Sequence, residues 1–481
     1  MTHGTWRDYP TMTRRDFLKA SGIGTFAFSA AMRAQSGDAF LSRDKFGGCP
    51  AIKFEGTGFF RLEKRDRWWF VTPAGNAFLS LGMNHVHPGW LNQAYNAEHW
   101  RKEFGAERAF DARWRAGLRA KVDKDLEAFG YNTLGVHNSY SQIKPMIETA
   151  WVKPIRFIDM AHWRDPDAME FPDVFTESFE RHCDNLAARE CSPLKYDPWL
   201  LGYAMTDCPI FTEIDAAARP THVYGSARRP ALTWPRMYRN LPAMAAGKRA
   251  YVDFMRNHYS NWILHFNEVY ETDFESWDHL LKAVNWRPDT DLSNVRELAD
   301  NRAFLEKVVD RYYSVMTAAV RKHDPNHLIF GDKLNANTDS GDAVVSITSK
   351  HTDLVFYQMY GRWQEQRPVL NRWAKLVDKP FVNGDGAFHA PHGNMPNPHG
   401  PHAVDQEHRA QMAKDFCERM FARKDFVGWH VCGWVETWKM MPRKQFKQHG
   451  GIQDPFGKNY EPLRSTLEGF SKRMYQVAGG R

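Results

Sequence analysis

Asp207, Asp385 and Glu436 each stand at or just beyond the end of a short, largely apolar run, over 199–207, 379–385 and 426–434. Carboxylates so placed suit glycoside cleavage: one protonates the leaving oxygen, and another acts as nucleophile or activates water across an oxocarbenium-like transition state. Neighbouring residue types suit a sugar. Asn84 and His85 close the run 77–86 and His87 follows it, His137 and Asn138 end 131–138, and Tyr360 closes 354–361. Trp429, Trp434 and Trp438 belong to or follow 426–434. Amides, imidazoles and hydroxyls hydrogen-bond sugar hydroxyls, while indole faces stack on the apolar face of a pyranose ring. Each position also has a structural reading. Asp207 is then a strand-end carboxylate held by backbone N–H groups, Asp385 a turn residue between Gly384 and Gly386, and the histidines core-edge side chains. Glu436 is a third catalytic candidate or a partner of substrate hydroxyls.

The elements that must position these residues follow a regular rhythm. Apolar runs at 77–86, 131–138, 153–159, 199–207, 327–334, 354–361, 379–385 and 426–434 read as strands. Amphipathic patterns at 110–129, 174–190, 301–323, 404–424 and 462–476 read as helices between or after them. Near-continuous apolar strands alternating with helices imply a parallel sheet buried on both faces. Eight such units predict an α/β fold, a closed (β/α)₈ TIM barrel whose reacting groups project from the C-terminal strand ends. No glycine-rich phosphate loop follows any strand, which removes the commonest reason to prefer an open doubly wound sheet, and no cofactor is expected. An N-terminal β-hairpin is predicted over 54–78, with its tip at Lys64-Arg65-Asp66-Arg67. About ninety residues, 209–300, interrupt the pattern after the fourth strand and predict a helical insertion, with helices over 247–266 and 274–284. A loop over 386–403 carries His389, His392, His399 and His402 without metal-ligand spacing, so no metal is expected there, and a metal-dependent hydrolase is the lesser alternative.

Thr13-Arg14-Arg15-Asp16-Phe17-Leu18-Lys19 precedes an apolar stretch from Ala20 to Met32 and small residues at Ser29, Ala30, Ala31 and Ala34. That order predicts a twin-arginine signal peptide over 1–34, with the export machinery as partner and a periplasmic or secreted destination. A thirteen-residue run is too short to cross a bilayer, which takes about 20, and no other stretch is long and uncharged enough, so no integral membrane segment is expected in the mature protein. Residues 35–481 then form the barrel domain. Its formal charge falls from +7 to +4 once five basic and two acidic residues are removed, and no basic stripe interleaved with aromatics argues for nucleic acid. The aromatic content of 14 %, with 18 tryptophans, serves a large core and also serves sugar stacking. Cys49, Cys183, Cys191, Cys208, Cys417 and Cys432 form no CxxC pair; free buried thiols are favoured over a Cys183–Cys191 bridge.

In its ordered motifs the chain resembles the β-agarase-like glycoside hydrolases with a (β/α)₈ barrel. The resemblance spans most of 54–476 and rests on Gly58-Phe59-Phe60, Trp68-Trp69-Phe70-Val71-Thr72-Pro73-Ala74-Gly75, Leu79-Ser80-Leu81-Gly82-Met83-Asn84 and Phe129-Gly130-Tyr131-Asn132-Thr133. It continues through Asp197-Pro198-Trp199-Leu200-Leu201-Gly202-Tyr203, Arg321-Lys322-His323-Asp324-Pro325-Asn326-His327, Lys379-Pro380-Phe381, Gly428-Trp429-His430 and Gln448-His449-Gly450-Gly451-Ile452. The resemblance implies an enzyme cleaving a poly- or oligosaccharide, with catalytic acids on the fourth and seventh strands. The departures fall at those acids. Asp207-Cys208 stands where the family pattern has Asn-Glu, and Asp385 stands in place of the nucleophilic glutamate. A carbohydrate-binding protein descended from such an enzyme is the alternative, and Cys208 is the residue that raises it.

Overall fold

The computed structural model describes residues 37–139, 148–158, 171–217, 233–338, 340–396, 398, 400–438 and 450–480. The expected signal over 1–34, His399, and Gln448 with His449 lie outside the described residues.

A four-stranded antiparallel sheet precedes the barrel, in the order β1-β4-β3-β2: β1 (Cys49–Lys53), β2 (Arg61–Lys64), β3 (Trp68–Val71) and β4 (Asn76–Phe78). The predicted hairpin is β2 and β3, with Lys64 opposite Trp68. The other two strands extend it. Asp44 ties the sheet's turn together, its carboxylate accepting from Thr72 Oγ1 and Asn76 Nδ2 at 2.7 Å each and from the N–H groups of Phe46 and Gly48. Arg67 at the hairpin tip is buried and donates to the carbonyls of Phe421 and Phe426, which ties the hairpin to the residue that starts the last barrel strand.

The barrel consists of β5 (Ser80–Met83), β6 (Thr133–Leu134), β7 (Ala150–Pro154), β8 (Leu200–Asp207), β9 (Leu328–Asn335), β10 (Val355–Gln358), β11 (Phe381–Gly386) and β12 (Phe426–Val431). It is closed, and every neighbouring pair is parallel. The predicted class therefore holds, with three differences in detail. The run 77–86 serves two sheets, since Phe78 pairs with Phe70 in β3 whereas Gly82 and Met83 pair with β6. The second strand shrinks to two residues. The third lies earlier than 153–159, because Ala150-Trp151-Val152 is the buried run that pairs with β8, and Pro154, lacking an N–H, ends the strand. Inside the barrel, a Cβ at Gly82 would lie 2.5 Å from the His430 ring, so glycine there makes room for an imidazole in the interior.

The flanking helices start where short polar side chains can cap them. Asp111, Thr176 and Asp405 accept N–H bonds at the starts of α2 (Ala112–Phe129), α3 (Glu177–Glu190) and α11 (Gln406–Phe421). The helix α1 (Ala97–Glu103) precedes them, while α9 (Asp342–His351), α10 (Trp363–Trp373) and α12 (Leu463–Ala478) complete the outer layer. The helix expected over 301–323 begins earlier, as α8 (Val295–His323), because Asn294 caps it through the N–H groups of Arg296 and Glu297. No helix among the described residues is long and apolar enough to cross a membrane. All six cysteines are free and buried.

The insertion is helical as expected, with α4 (Trp234–Asn240), α5 (Ala246–His258), α6 (Ile263–Tyr270) and α7 (Trp277–Lys282). The helix expected over 247–266 is broken in two because Ser260 and Asn261 both adopt left-handed backbone, at φ 50° and 62°. Glu297, fully buried at the start of α8, anchors the insertion to the barrel's helical layer: it accepts from Arg239 on α4 at 2.7 Å and from Arg287 at 2.6 Å. Removing one member of a buried charge cluster strands the others. Glu297→Ala is therefore expected to lower the unfolding free energy by about 3–5 kcal/mol, read as a lower urea midpoint; an unchanged midpoint would show that this cluster does not hold the insertion.

Candidate active site

The site forms where β8, β9 and β11 end. The strand β8 closes on Asp207, and the next residue, Cys208, turns the chain at φ 50° while its N–H donates to Lys333 O at 2.9 Å. On β9, Asp332 and Lys333 are consecutive, so pleating sends them to opposite faces. Asp332 points outward to α8, accepting from Tyr313 Oη at 2.8 Å and from Thr206 N at 2.7 Å. Lys333 points inward and is only 2 % exposed.

The Lys333 ammonium joins the candidate acids. Its Nζ donates to Asp385 Oδ2 at 2.8 Å and lies 3.0 Å from Asp207 Oδ1 and 2.5 Å from His137 Nε2. The ammonium thus bridges the two carboxylates, with a hydrogen bond to Asp385 and an ion pair to Asp207. His137 Nε2 is also 3.3 Å from Asp385 and 3.8 Å from Asp207, and its ring stacks on His85 with centroids 4.9 Å apart. Asn84 Nδ2 donates to Gly384 O at 2.8 Å and to Asp385 Oδ1 at 3.3 Å.

Burial by itself would raise both carboxyls, but the Lys333 ammonium and His137 outweigh it and hold Asp207 and Asp385 well below the usual carboxylate range. Burial likewise opposes the charge on Lys333, and the two carboxylates push it above its ordinary value. Three neighbours are held in their neutral forms. Burial pushes His430 down to about 3, and it pushes the Tyr360 hydroxyl and the Cys432 thiol well up, with Asp385 adding to both. Asp332 is pushed up to about 7 by burial, which its hydrogen bonds from Tyr313 and Thr206 only partly offset.

The remaining candidates divide. Tyr360 stands against Asp385, and His85 and His137 border the pair. Glu436 does not join it: its Oε1 accepts from Trp438 Nε1 at 2.5 Å and pairs with His392 Nε2 at 2.8 Å, and its Oε2 accepts from Tyr460 Oη at 2.7 Å. Those partners use both oxygens to fasten the loop 386–403 to the segments after β12. Trp434 is fully buried, donating to Asp125 on α2 at 2.6 Å, and Trp429 is packed between Phe388 and Phe416, so neither indole faces the rim. Asn138 spends its amide on backbone groups, accepting from Val86 N and donating to Met83 O and Gly135 O. His87 is exposed and accepts from Gly89 N at 3.0 Å, beside Trp90. Trp438 is half-buried, its ring 5.8 Å from that of Tyr95.

His85, His137 and Asp385 carry donor atoms within 4.8 Å of one another, a separation that would suit a metal ion. The Lys333 ammonium lies between two of them, at 2.5 Å and 2.8 Å, so the donor set is matched to a resident side-chain cation. Sequence reasoning missed Lys333 and Asp332, although one signal was present: a charged pair inside the run His327-Leu328-Ile329-Phe330-Gly331-Asp332-Lys333-Leu334, buried along its whole length.

No family model matches the chain. The chain is similar to β-agarases. It is 22 % identical over 423 residues to beta-agarase A of Vibrio sp. (strain JT0107), covering 77 % of this chain and 41 % of that protein. It is 20 % identical over 480 residues to beta-agarase B of the same organism, covering 86 % of this chain and 48 % of that protein. The chain thus spans less than half the length of these relatives. Among solved structures, an exo-beta-agarase superposes with a TM-score of 0.73 at 19 % identity, over 99 % of this chain and 72 % of that one. Another agarase gives 0.74 at 17 % identity, over 98 % and 72 %. At such identities the likeness establishes a shared fold, a parallel eight-stranded barrel with flanking helices and an N-terminal antiparallel sheet.

The titrating groups act on stability in opposite senses. Asp207 and Asp385, depressed in the folded protein, contribute stability that is present above about pH 4 and lost as pH falls. Asp332, raised to about 7, contributes stability that is complete below about pH 4 and lost as pH rises through 7. Asp332→Asn should therefore remove a decline of up to roughly 4 kcal/mol between pH 4 and pH 8. Urea unfolding at both pH values measures it, and equal declines in the variant and the parent would contradict the assignment.

Proposed function

We propose that the chain is an exported glycoside hydrolase that cleaves a poly- or oligosaccharide, of an algal or acidic galactan-like kind, by two-carboxylate chemistry at Asp207 and Asp385. One observation carries the reading: carboxylates from the fourth and seventh barrel strands contact the same ammonium, which places their nearest oxygens no more than about 6 Å apart at the strand ends. An upper bound of that size supports the arrangement of retaining enzymes, with carboxyls roughly 5–5.5 Å apart, over the roughly 6.5–9.5 Å of inverting ones. The similarity to β-agarases supports a galactan as substrate, and Arg14-Arg15 before an apolar run supports export by the twin-arginine machinery.

Asp385, held ionised, is in the state a nucleophile needs. Its carboxylate would bond to the anomeric carbon as the glycosidic C–O bond breaks and Asp207 gives its proton to the leaving oxygen. Water, losing a proton to Asp207, would then release the sugar and restore both carboxyls. A second reading is favoured by a specific observation: the ammonium that serves Asp385 also holds Asp207 ionised, and Cys208 stands in the glutamate's place, as in a protein that binds glycan without cleaving it.

Reducing-sugar release from galactans, compared with hydrolysis of activated aryl glycosides, separates the two. Asp385→Asn is expected to lose about 10²–10⁴-fold on both substrates, whereas Asp207→Asn loses most on the natural glycan and less on the aryl glycoside, whose leaving group needs no proton. Cys208→Ser should stay active; a dead Cys208→Ser beside a fully active Asp207→Asn would overturn the assignment on the fourth strand. Absence of cleavage combined with glycan binding would leave the binding reading.

The two tryptophans beside Glu436 should respond differently. Trp438→Ala should weaken glycan binding by on the order of 1 kcal/mol in calorimetric titration while leaving the unfolding midpoint unchanged. Trp434→Ala, which empties a buried site, should instead lower stability by about 3–5 kcal/mol. The reverse pattern would place the sugar cleft elsewhere.

A further inference from the structure

We propose that Lys333 is the positioning residue of this site: its ammonium clamps Asp207 and Asp385 together in the free protein, and Asp207 serves as an acid only after a bound sugar has drawn it off the ammonium. The inference rests on the hydrolase reading for its second half and on geometry alone for its first. Among the described residues, Lys333 is the one permanently charged cation paired with either aspartate. The two arms of the clamp are unequal. The arm to Asp385 is an aligned 2.8 Å hydrogen bond to a side chain that is 7 % exposed. The arm to Asp207 is a 3.0 Å ion-pair contact through a buried oxygen, Oδ1, of a side chain that is 22 % exposed as a whole, so Asp207 is the carboxyl of the two that an incoming hydroxyl can reach and draw away.

The other groups facing the pair are a weaker substitute for the clamp. From the ends of β5 and β6 come His85 and His137, which stack on one another, with His137 Nε2 already 2.5 Å from the ammonium. From β12 and the residues that follow it come His430, kept neutral by burial, and the protonated Cys432 thiol. Tyr360 follows β10 and keeps its proton, and Cys208 directly follows Asp207. With Lys333 removed, two buried carboxylates would confront one another with His137 alone as a possible cation for both, so at least one carboxyl should titrate higher than in the parent.

In the working cycle Asp207 takes a proton from solvent as it leaves Lys333. It passes that proton to the glycosidic oxygen as the C–O bond breaks and Asp385 bonds to the anomeric carbon. For unactivated glycan, kcat/KM should therefore fall about tenfold per pH unit across the neutral range, because protonated Asp207 grows scarce in the free enzyme, whereas aryl glycosides should show no such slope.

The test is a titration of the aspartate carboxyls by ¹³C NMR on the mature protein carrying ¹³C-labelled aspartate, with Asp207→Asn and Asp385→Asn variants to assign the signals. In the parent, both carboxyls should titrate well below the ordinary aspartate range; in Lys333→Met one should titrate about 1–3 pH units higher than in the parent, while Lys333→Arg stays close to the parent. Should Lys333→Met fail to fold, the parent with a bound galactan oligosaccharide is expected to show the Asp207 signal alone moving up by about one unit or more. Ordinary titration of both aspartates in the parent, near pH 4, would overturn the clamp, as would identical titration in Lys333→Met. If the clamp titrates as expected but no glycan is cleaved, the hydrolase reading falls and the clamp stands. If glycan is cleaved with a pH-independent kcat/KM, the clamp's part in catalysis is wrong.

Discussion

The rest of the site depends on one buried ammonium. Lys333 is 2 % exposed, and its charge is compatible with that burial only because two carboxylates, Asp207 and Asp385, lie within 3.0 Å. The dependence is mutual, since each aspartate stays ionised in a buried position because the ammonium is there. A closed barrel makes this possible. Strands β8, β9 and β11 are separated in sequence by long crossovers, yet their ends converge on one rim, and each carries a single inward-facing charge to the meeting point.

Backbone geometry aims these charges. Pleating on β9 divides Asp332 from Lys333, so the lysine reaches the interior while the aspartate meets Tyr313 and Thr206 outside it. Asp332 thereby holds the end of β8 through a backbone N–H one residue before Asp207. The left-handed turn at Cys208 hands its own N–H to Lys333 O, so the two strands that bear the clamp are tied on both sides of it. Asn84 binds Gly384 O and Asp385, which fastens the seventh strand's end to the first.

Farther out, polar side chains hold the loops that shape the rim. Glu436 gathers His392, Trp438 and Tyr460, joining three separate segments through one carboxylate. Glu297 does the same for the insertion, through Arg239 and Arg287. At the opposite end of the barrel, Arg67 ties the N-terminal sheet to the start of β12 through the Phe426 carbonyl. In each case a buried charge satisfied by several partners sets the relative position of elements that apolar packing alone leaves free to slide.

The sequence by itself determined the barrel, because eight apolar runs alternating with amphipathic helices have few ways to bury both faces of each strand. It also located Asp207, Asp385, His85, His137 and Tyr360, since residues that close such runs must lie on one rim. It could not separate Glu436 from the aspartates, or Trp434 and Trp429 from the rim. One-dimensional position says that a residue follows a strand, whereas the direction of its side chain depends on which neighbours, Asp125 or Phe416 for example, close around it. Lys333 was the largest omission, for the same reason. A lysine within an apolar strand reads as a misfit until the partners that neutralise it come into view, and those partners sit 126 and 52 residues away in the chain, joined to it only by closure of the barrel.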